Sequence, residues 1–147
     1  MMTFRGFLAV LGSLSMTGCF AVSCTLMYVP DSVRLSFEAA DTFWQDGEWT
    51  VEVDGIDCMV SLPSTENMVF CDGLRGMDSL QLQLSEDGTA IESGLLMGST
   101  PEMLLVEIYN GDTLMFVEDL ALDYEVDEPN GVGCGEVSSA DVELVID

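Results

Sequence analysis

Apolar residues in this chain recur at every second position, and that period constrains the fold more than any other feature of the sequence. Val33, Leu35 and Phe37 alternate with Arg34 and Ser36, and Trp49, Val51 and Val53 alternate with Thr50 and Glu52. Leu80, Leu82 and Leu84 alternate with Gln81 and Gln83, and Leu120, Leu122, Tyr124 and Val126 alternate with Ala121, Asp123 and Glu125. Val142, Leu144 and Ile146 close the series. Side chains that change sides at each step belong to half-buried strands rather than to a helix. Asp46-Gly47, Asp54-Gly55, Asp72-Gly73, Asp87-Gly88 and Asn110-Gly111 punctuate the runs with turn chemistry. The pattern predicts an all-β fold, an antiparallel immunoglobulin-like β-sandwich of about 8–10 strands, with helix close to absent from the mature chain.

Charge sets the second constraint. The sequence holds 27 acidic residues against three arginines, no lysine and no histidine, for a formal net charge of −24. A surface of that sign lacks the basic footprint on which phosphodiester binding depends, so no nucleic-acid partner is expected. Without histidine there is no Ser-His-Asp or Cys-His catalysis and no imidazole metal ligand. The chain is still a folding one, because 48% of it is hydrophobic and that fraction is ordered in strands.

The N-terminus reads as an address. Arg5 precedes an apolar run from Gly6 to Leu14, followed by Ser15, Met16, Thr17, Gly18 and Cys19. A basic start, a short apolar stretch and small residues before a cysteine make an export signal, too short to span a membrane as a mature anchor. Met16-Thr17-Gly18-Cys19 resembles the lipobox of bacterial lipoproteins, with methionine and threonine where leucine and a smaller residue are commonest. That resemblance implies a signal peptide over residues 1–18, acylation of Cys19, and a single domain over residues 19–147. It also implies an extracytoplasmic, outer-membrane lipoprotein of the cell envelope. The competing readings are an ordinary signal peptide cleaved near Ala21 or Ser23, giving a secreted protein, and a second lipobox at Ala21-Val22-Ser23-Cys24. All 27 acids follow Cys19, with only Arg34 and Arg75 against them, so the mature part carries −25.

Lipidation of Cys19 leaves Cys24, Cys58, Cys71 and Cys134, an even set suited to an oxidising compartment, whereas lipidation of Cys24 strands an odd thiol. If Ser64 and Thr65 form a turn after Pro63, Leu62 faces Asn67, Val60 faces Val69 and Cys58 faces Cys71. Opposed cysteines at a non-hydrogen-bonded pair lie about 4.5–5.5 Å apart at Cα, the range of a strand-to-strand disulfide. Such a bridge closes a loop of about 14 residues and contributes up to about 3 kcal/mol on the chain-entropy account. Cys24 and Cys134 then tie the first strand to the approach of the last, although four cysteines allow three connectivities on sequence alone. On the outer face of the same hairpin Met59, Met68 and Phe70 would form an apolar patch, a surface for a partner. At Asn110-Gly111 a two-residue turn sets Ile108 against Thr113, but the core faces match better with Ile108 on Leu114 and Val106 on Phe116. A bulge or a three-residue turn reconciles them.

Candidate sites are few. Asp127, Glu128 and Asn130 offer hard oxygen ligands at a strand end, the chemistry of calcium, though the EF-hand spacing fails because Cys134 stands where its last glutamate belongs. Pro129-Asn130-Gly131-Val132-Gly133-Cys134-Gly135 resembles a turn segment of small bacterial lipoproteins of uncharacterised type, in which a second cysteine follows four places later. Here Ser138 occupies that place, which rules out a local bridge. Phe43, Trp44 and Trp49 surround Asp46-Gly47 as a prospective sugar-stacking platform, but Trp49 has core parity, which leaves Trp44 as the candidate ligand-binding aromatic. Paired carboxylates are the chemistry of glycosidases, yet among 27 acids a suitable pair arises by chance. The methionines show no metal-site spacing. The sequence therefore points to a lipid-anchored, non-enzymatic binding or structural module with no resident cofactor, whose partner is an unknown protein or glycan. A calcium-dependent carbohydrate-binding or hydrolytic domain is the alternative.

Overall fold

The computed structural model describes Cys24, residues 28–73 and residues 78–147. The signal segment 1–18 and Cys19 lie outside the described residues, as does Arg75. Ten strands follow in chain order: β1 (Ser32–Ala39), β2 (Gly47–Val53), β3 (Ile56–Leu62), β4 (Met68–Asp72), β5 (Ser79–Leu84), β6 (Ile91–Met97), β7 (Met103–Asn110), β8 (Thr113–Ala121), β9 (Glu125–Asp127) and β10 (Val137–Ile146). A six-stranded sheet in the order β4-β5-β6-β1-β10-β9 packs on a four-stranded sheet in the order β3-β2-β7-β8, so the fold is an all-β sandwich. Helix is absent among the described residues.

The period-two runs supply the core. Val33 and Leu35 of β1, Trp49, Val51 and Val53 of β2, Leu80 and Leu82 of β5, Leu104, Val106 and Ile108 of β7, and Leu144 of β10 are all fully buried. No polar or charged side chain is buried among the described residues, so the acidic positions are held at the surface by the same alternation. All ladders but one are antiparallel. The exception joins the first strand to the last: β1 and β10 run parallel, with Ser32 opposite Ser139 and Ala39 opposite Ile146.

The Cys58–Cys71 bridge forms as expected, with Cα atoms 5.4 Å apart, but the hairpin around it does not. β3 pairs with β2, and β4 pairs with β5 in the opposite sheet, Cys71 lying opposite Leu80. The disulfide therefore staples the two sheets together at one edge of the sandwich. The physical reason lies in the connection: Ser64 N–H donates to the Gly88 carbonyl (2.9 Å) and Leu84 N–H to the Asn67 carbonyl (2.9 Å), so the β5–β6 region captures the chain after Leu62. Met59 (76% exposed) and Phe70 (65% exposed) consequently lie on outer faces of different sheets, and the expected joint patch with Met68 does not exist.

A second run is divided in the same way. Residues 120–126 do not form one strand: β8 ends at Ala121, Leu122 N–H donates to the Glu102 carbonyl (3.0 Å), and β9 joins β10 in the other sheet. Leu120, Leu122 and Tyr124 still pack against the core, while Val126 is exposed. At the β7–β8 hairpin the turn is Gly111-Asp112, closed by Asn110 opposite Thr113, and a bulge follows, as the parity demanded. It sets Ile108 opposite Phe116 rather than Leu114.

The parallel pair gives the sandwich two distinguishable poles. At one, Asp31 ties the entry to β1 to its neighbours: its carboxylate accepts from Ser138 N–H (2.7 Å) and its carbonyl from Gly98 N–H (2.9 Å). The Cys24–Cys134 bridge, Cα atoms 5.5 Å apart, belongs to this pole, because Cys134 lies just before β10. The other pole lies about 23 Å along β1 at a strand's rise per residue. It gathers the β1–β2, β3–β4, β5–β6 and β7–β8 connections and the C-terminus.

Candidate functional site

The far pole holds an open cleft of about 450 Å³ between the end of β1, the β1–β2 connection and the start of β6. Its origin is a divergence of neighbouring strands. The β1–β6 ladder stops at Ser36 opposite Ser93, after which β1 continues on β10 and β6 continues on β5. A register shift between Gln83 and Leu84 bends the β5–β6 pair at this level. Phe37 and Ile91 form an apolar floor, and Asp41, Trp44, Thr89 and Glu92 line the sides.

Trp44 is half-buried and fixed by its neighbours rather than free on the surface. Its ring meets Phe43 at 4.9 Å and Phe37 at 6.4 Å between centroids, both near-perpendicular, and Trp49 at 4.8 Å with 66° between the planes. Trp49 is fully buried and its indole N–H donates to the Gln45 carbonyl (2.7 Å), so it is a packed core tryptophan. Phe43 and Trp49 are tilted at 39° to each other and Trp44 meets both edge to face, which leaves no coplanar platform; of these three rings Trp44 lines the cleft. Edge-to-face packing holds that ring in one orientation before any ligand arrives.

The β5–β6 connection is built as firmly. Asp87 Oδ1 accepts hydrogen bonds from the Thr89 hydroxyl (2.7 Å), the Ser85 hydroxyl (2.8 Å) and Thr89 N–H (3.1 Å). These donors, that of the Thr89 hydroxyl first, hold the Asp87 carboxyl below the usual aspartate range. Gly88 lets the turn close against the β3–β4 connection, since its φ is +71° and a Cβ there would collide with the Ser64 carbonyl oxygen.

The acidic loop connects β9 to β10. Asp127 Oδ1 accepts from Glu128 N–H (2.9 Å) and Glu128 Oε1 from Gly133 N–H (3.1 Å), so both carboxylates serve the loop's own backbone. Asn130 shares the same connection at the opposite pole from the cleft. Among the described residues no three acidic or cysteine side chains converge on a metal-binding geometry. A different acidic group forms on the outer face of the four-stranded sheet, where Glu52 stands opposite both Asp57 and Glu107 in one cross-strand row. Partial burial first, then Asp57 and Glu107, push the Glu52 carboxyl above the usual glutamate range.

Trp44, the aromatic singled out in the sequence, lines this cleft with Asp41, Thr89 and Glu92, which the sequence did not single out. Asp41 stands one turn of chain before Trp44, whereas Glu92 reaches the site only through the adjacency of β1 and β6, for which the sequence carries no local signal. No protein family, curated protein or solved structure matched the chain. Two disulfides are compatible with an extracytoplasmic location, and no helix of the described residues is long and apolar enough to cross a membrane.

Proposed function

We propose that the chain is a cell-envelope lipoprotein, cleaved before Cys19 and acylated there, whose sandwich is a non-enzymatic binding module. The Cys24–Cys134 bridge carries this reading. Together with Cys58–Cys71 it accounts for four of the five cysteines and leaves Cys19, the lipobox cysteine, as the remaining one. It also fastens the chain five positions after Cys19 to the pole that bears the start of β1 and β10, so a lipid on Cys19 would hold that pole toward the membrane. The far pole, with its clustered connections and the Trp44 cleft, then faces outward, the arrangement by which a rigid sandwich presents loops to a partner. Acyl methylenes supply the attachment, since a domain of this charge is repelled by anionic headgroups.

The test is metabolic labelling with palmitate in a bacterial host, followed by membrane fractionation. Wild-type protein is expected to carry label and to sediment with membranes, and Cys19→Ala to lose both. Label that persists in Cys19→Ala would overturn the assignment. Unlabelled protein recovered from the medium would favour a secreted form.

A further inference from the structure

The walls of the far-pole cleft carry carboxylates that no ion pair among the described residues balances. Asp41 and Glu92 both stand exposed at its rim, beside the ring of Trp44. The ion pair found among the described residues, Arg34 with Asp141 at 3.3 Å, lies elsewhere on the six-stranded sheet, and the chain has no lysine to bring. An apolar floor of Phe37 and Ile91 sits below those carboxylates. The cleft therefore sets two exposed carboxylates and a half-buried indole ring around one opening.

From this juxtaposition we infer that the cleft binds a primary alkylammonium group, the chemistry shared by a lysine side chain and a free polyamine. The methylene stem lies along the half-buried Trp44 ring. The ammonium donates charge-assisted hydrogen bonds from its three N–H groups to Asp41 and Glu92 and faces the indole π-system. Anionic ligands are repelled by the −24 of the chain, and a neutral sugar satisfies the ring while leaving both carboxylates without a counter-charge. A volume of about 450 Å³ suits a side-chain-sized ligand. The inference rests on the far pole as a binding face and is independent of the lipid on Cys19.

The experiment is a titration of the disulfide-intact protein, followed by tryptophan fluorescence and calorimetry at fixed ionic strength. The titrants are 1,5-diaminopentane, Nα-acetyl-lysine methylamide, the neutral isostere 1,5-pentanediol and a neutral cello-oligosaccharide. Saturable binding of the amines is expected, with no saturation by the diol. Asp41→Asn with Glu92→Gln should weaken amine binding roughly tenfold or more, the loss of about 1.4 kcal/mol per factor of ten. The charge-matched control Glu102→Gln with Glu125→Gln, at exposed positions toward the opposite pole, should stay close to wild type. Trp44→Leu tests the ring, and because that change touches packed aromatics, the Asp41/Glu92 pair decides the matter if it fails to fold. A tighter lysine derivative identifies a protein partner; a tighter diamine identifies a polyamine. Equal weakening by the control pair, a response to the diol matching that to the amines, or binding of the oligosaccharide alone would each overturn the inference. Failure here with palmitate labelling intact removes the ligand and leaves the envelope module standing.

Discussion

Single residues at the far pole set how closely its connections pack. Gly88 is the clearest, because two independent constraints meet there: a left-handed backbone and a neighbouring carbonyl where a Cβ would go. Gly88→Ala should lower stability by more than about 1 kcal/mol, read as a shift in the midpoint of chemical denaturation at unchanged slope. Glu52 makes the opposite prediction. Its folded carboxyl is raised above the value of an exposed glutamate, so the folded state binds the proton more tightly than the unfolded one. Stability at this site is therefore greatest at low pH and falls as pH rises through that raised value. Glu52→Gln should stabilise the protein by a few tenths of a kcal/mol at neutral pH by relieving the like charges of Asp57 and Glu107, and the gain should vanish on acidification toward pH 4.5. A gain that persists in acid would show that the cross-strand row is not its source.

At the scale of elements, the edge formed by β3 and β4 depends on a covalent tie. Their backbones are not laddered to each other, and Cys58, fully buried, reaches Cys71 across the gap between sheets. Replacing both cysteines by alanine should cost about 2–4 kcal/mol and open this edge first, with amide exchange of β4 rising ahead of that of β2. A paired hairpin would instead keep β3 and β4 protected together. Strand β6 illustrates a different point. Its buried positions are Ile91, Gly94 and Leu96, a spacing that breaks the period of two. The register shift against β5 accounts for the break, and without knowledge of the bulge the segment does not read as an amphipathic strand. That same irregularity helps to part β6 from β1 and so to open the Trp44 cleft.

Over the whole molecule, self-repulsion among the carboxylates outweighs every other electrostatic effect. With every acidic side chain left at the surface and a formal charge of −24, the compact state concentrates like charges that the unfolded chain spreads apart. Salt shortens the reach of that repulsion from about 30 Å at 0.01 M to about 8 Å at 0.15 M. The melting temperature should climb with sodium chloride across this range and then level off. A Tm independent of salt would mean that the acidic shell is too dispersed to matter. The same field, concentrated at a mouth lined by Asp41 and Glu92, should make amine binding to the cleft weaken with ionic strength.

What the sequence determined by itself was the facing of each position. Alternation assigned Trp49, Leu35, Val51 and Leu144 to the core and glycine placed the turn at Asp54-Gly55, whereas the expected cysteine pairs formed although the hairpin register that suggested Cys58–Cys71 did not. Which sheet each strand joins was decided only by the tertiary structure. The inner faces of both sheets look onto one core, so a chain that leaves one sheet for the other, as after Ala121, can keep Leu120, Leu122 and Tyr124 facing inward at every second position. Sheet membership rests instead on hydrogen bonds between distant segments, such as those from Leu84 N–H and the Gln83 side-chain amide to the Asn67 carbonyl, which leave no trace in the hydrophobic pattern. The cleft follows from those pairings: Glu92 and Trp44 line it together because β1 and β6 are neighbours that part company after Ser36, a fact written nowhere near either residue.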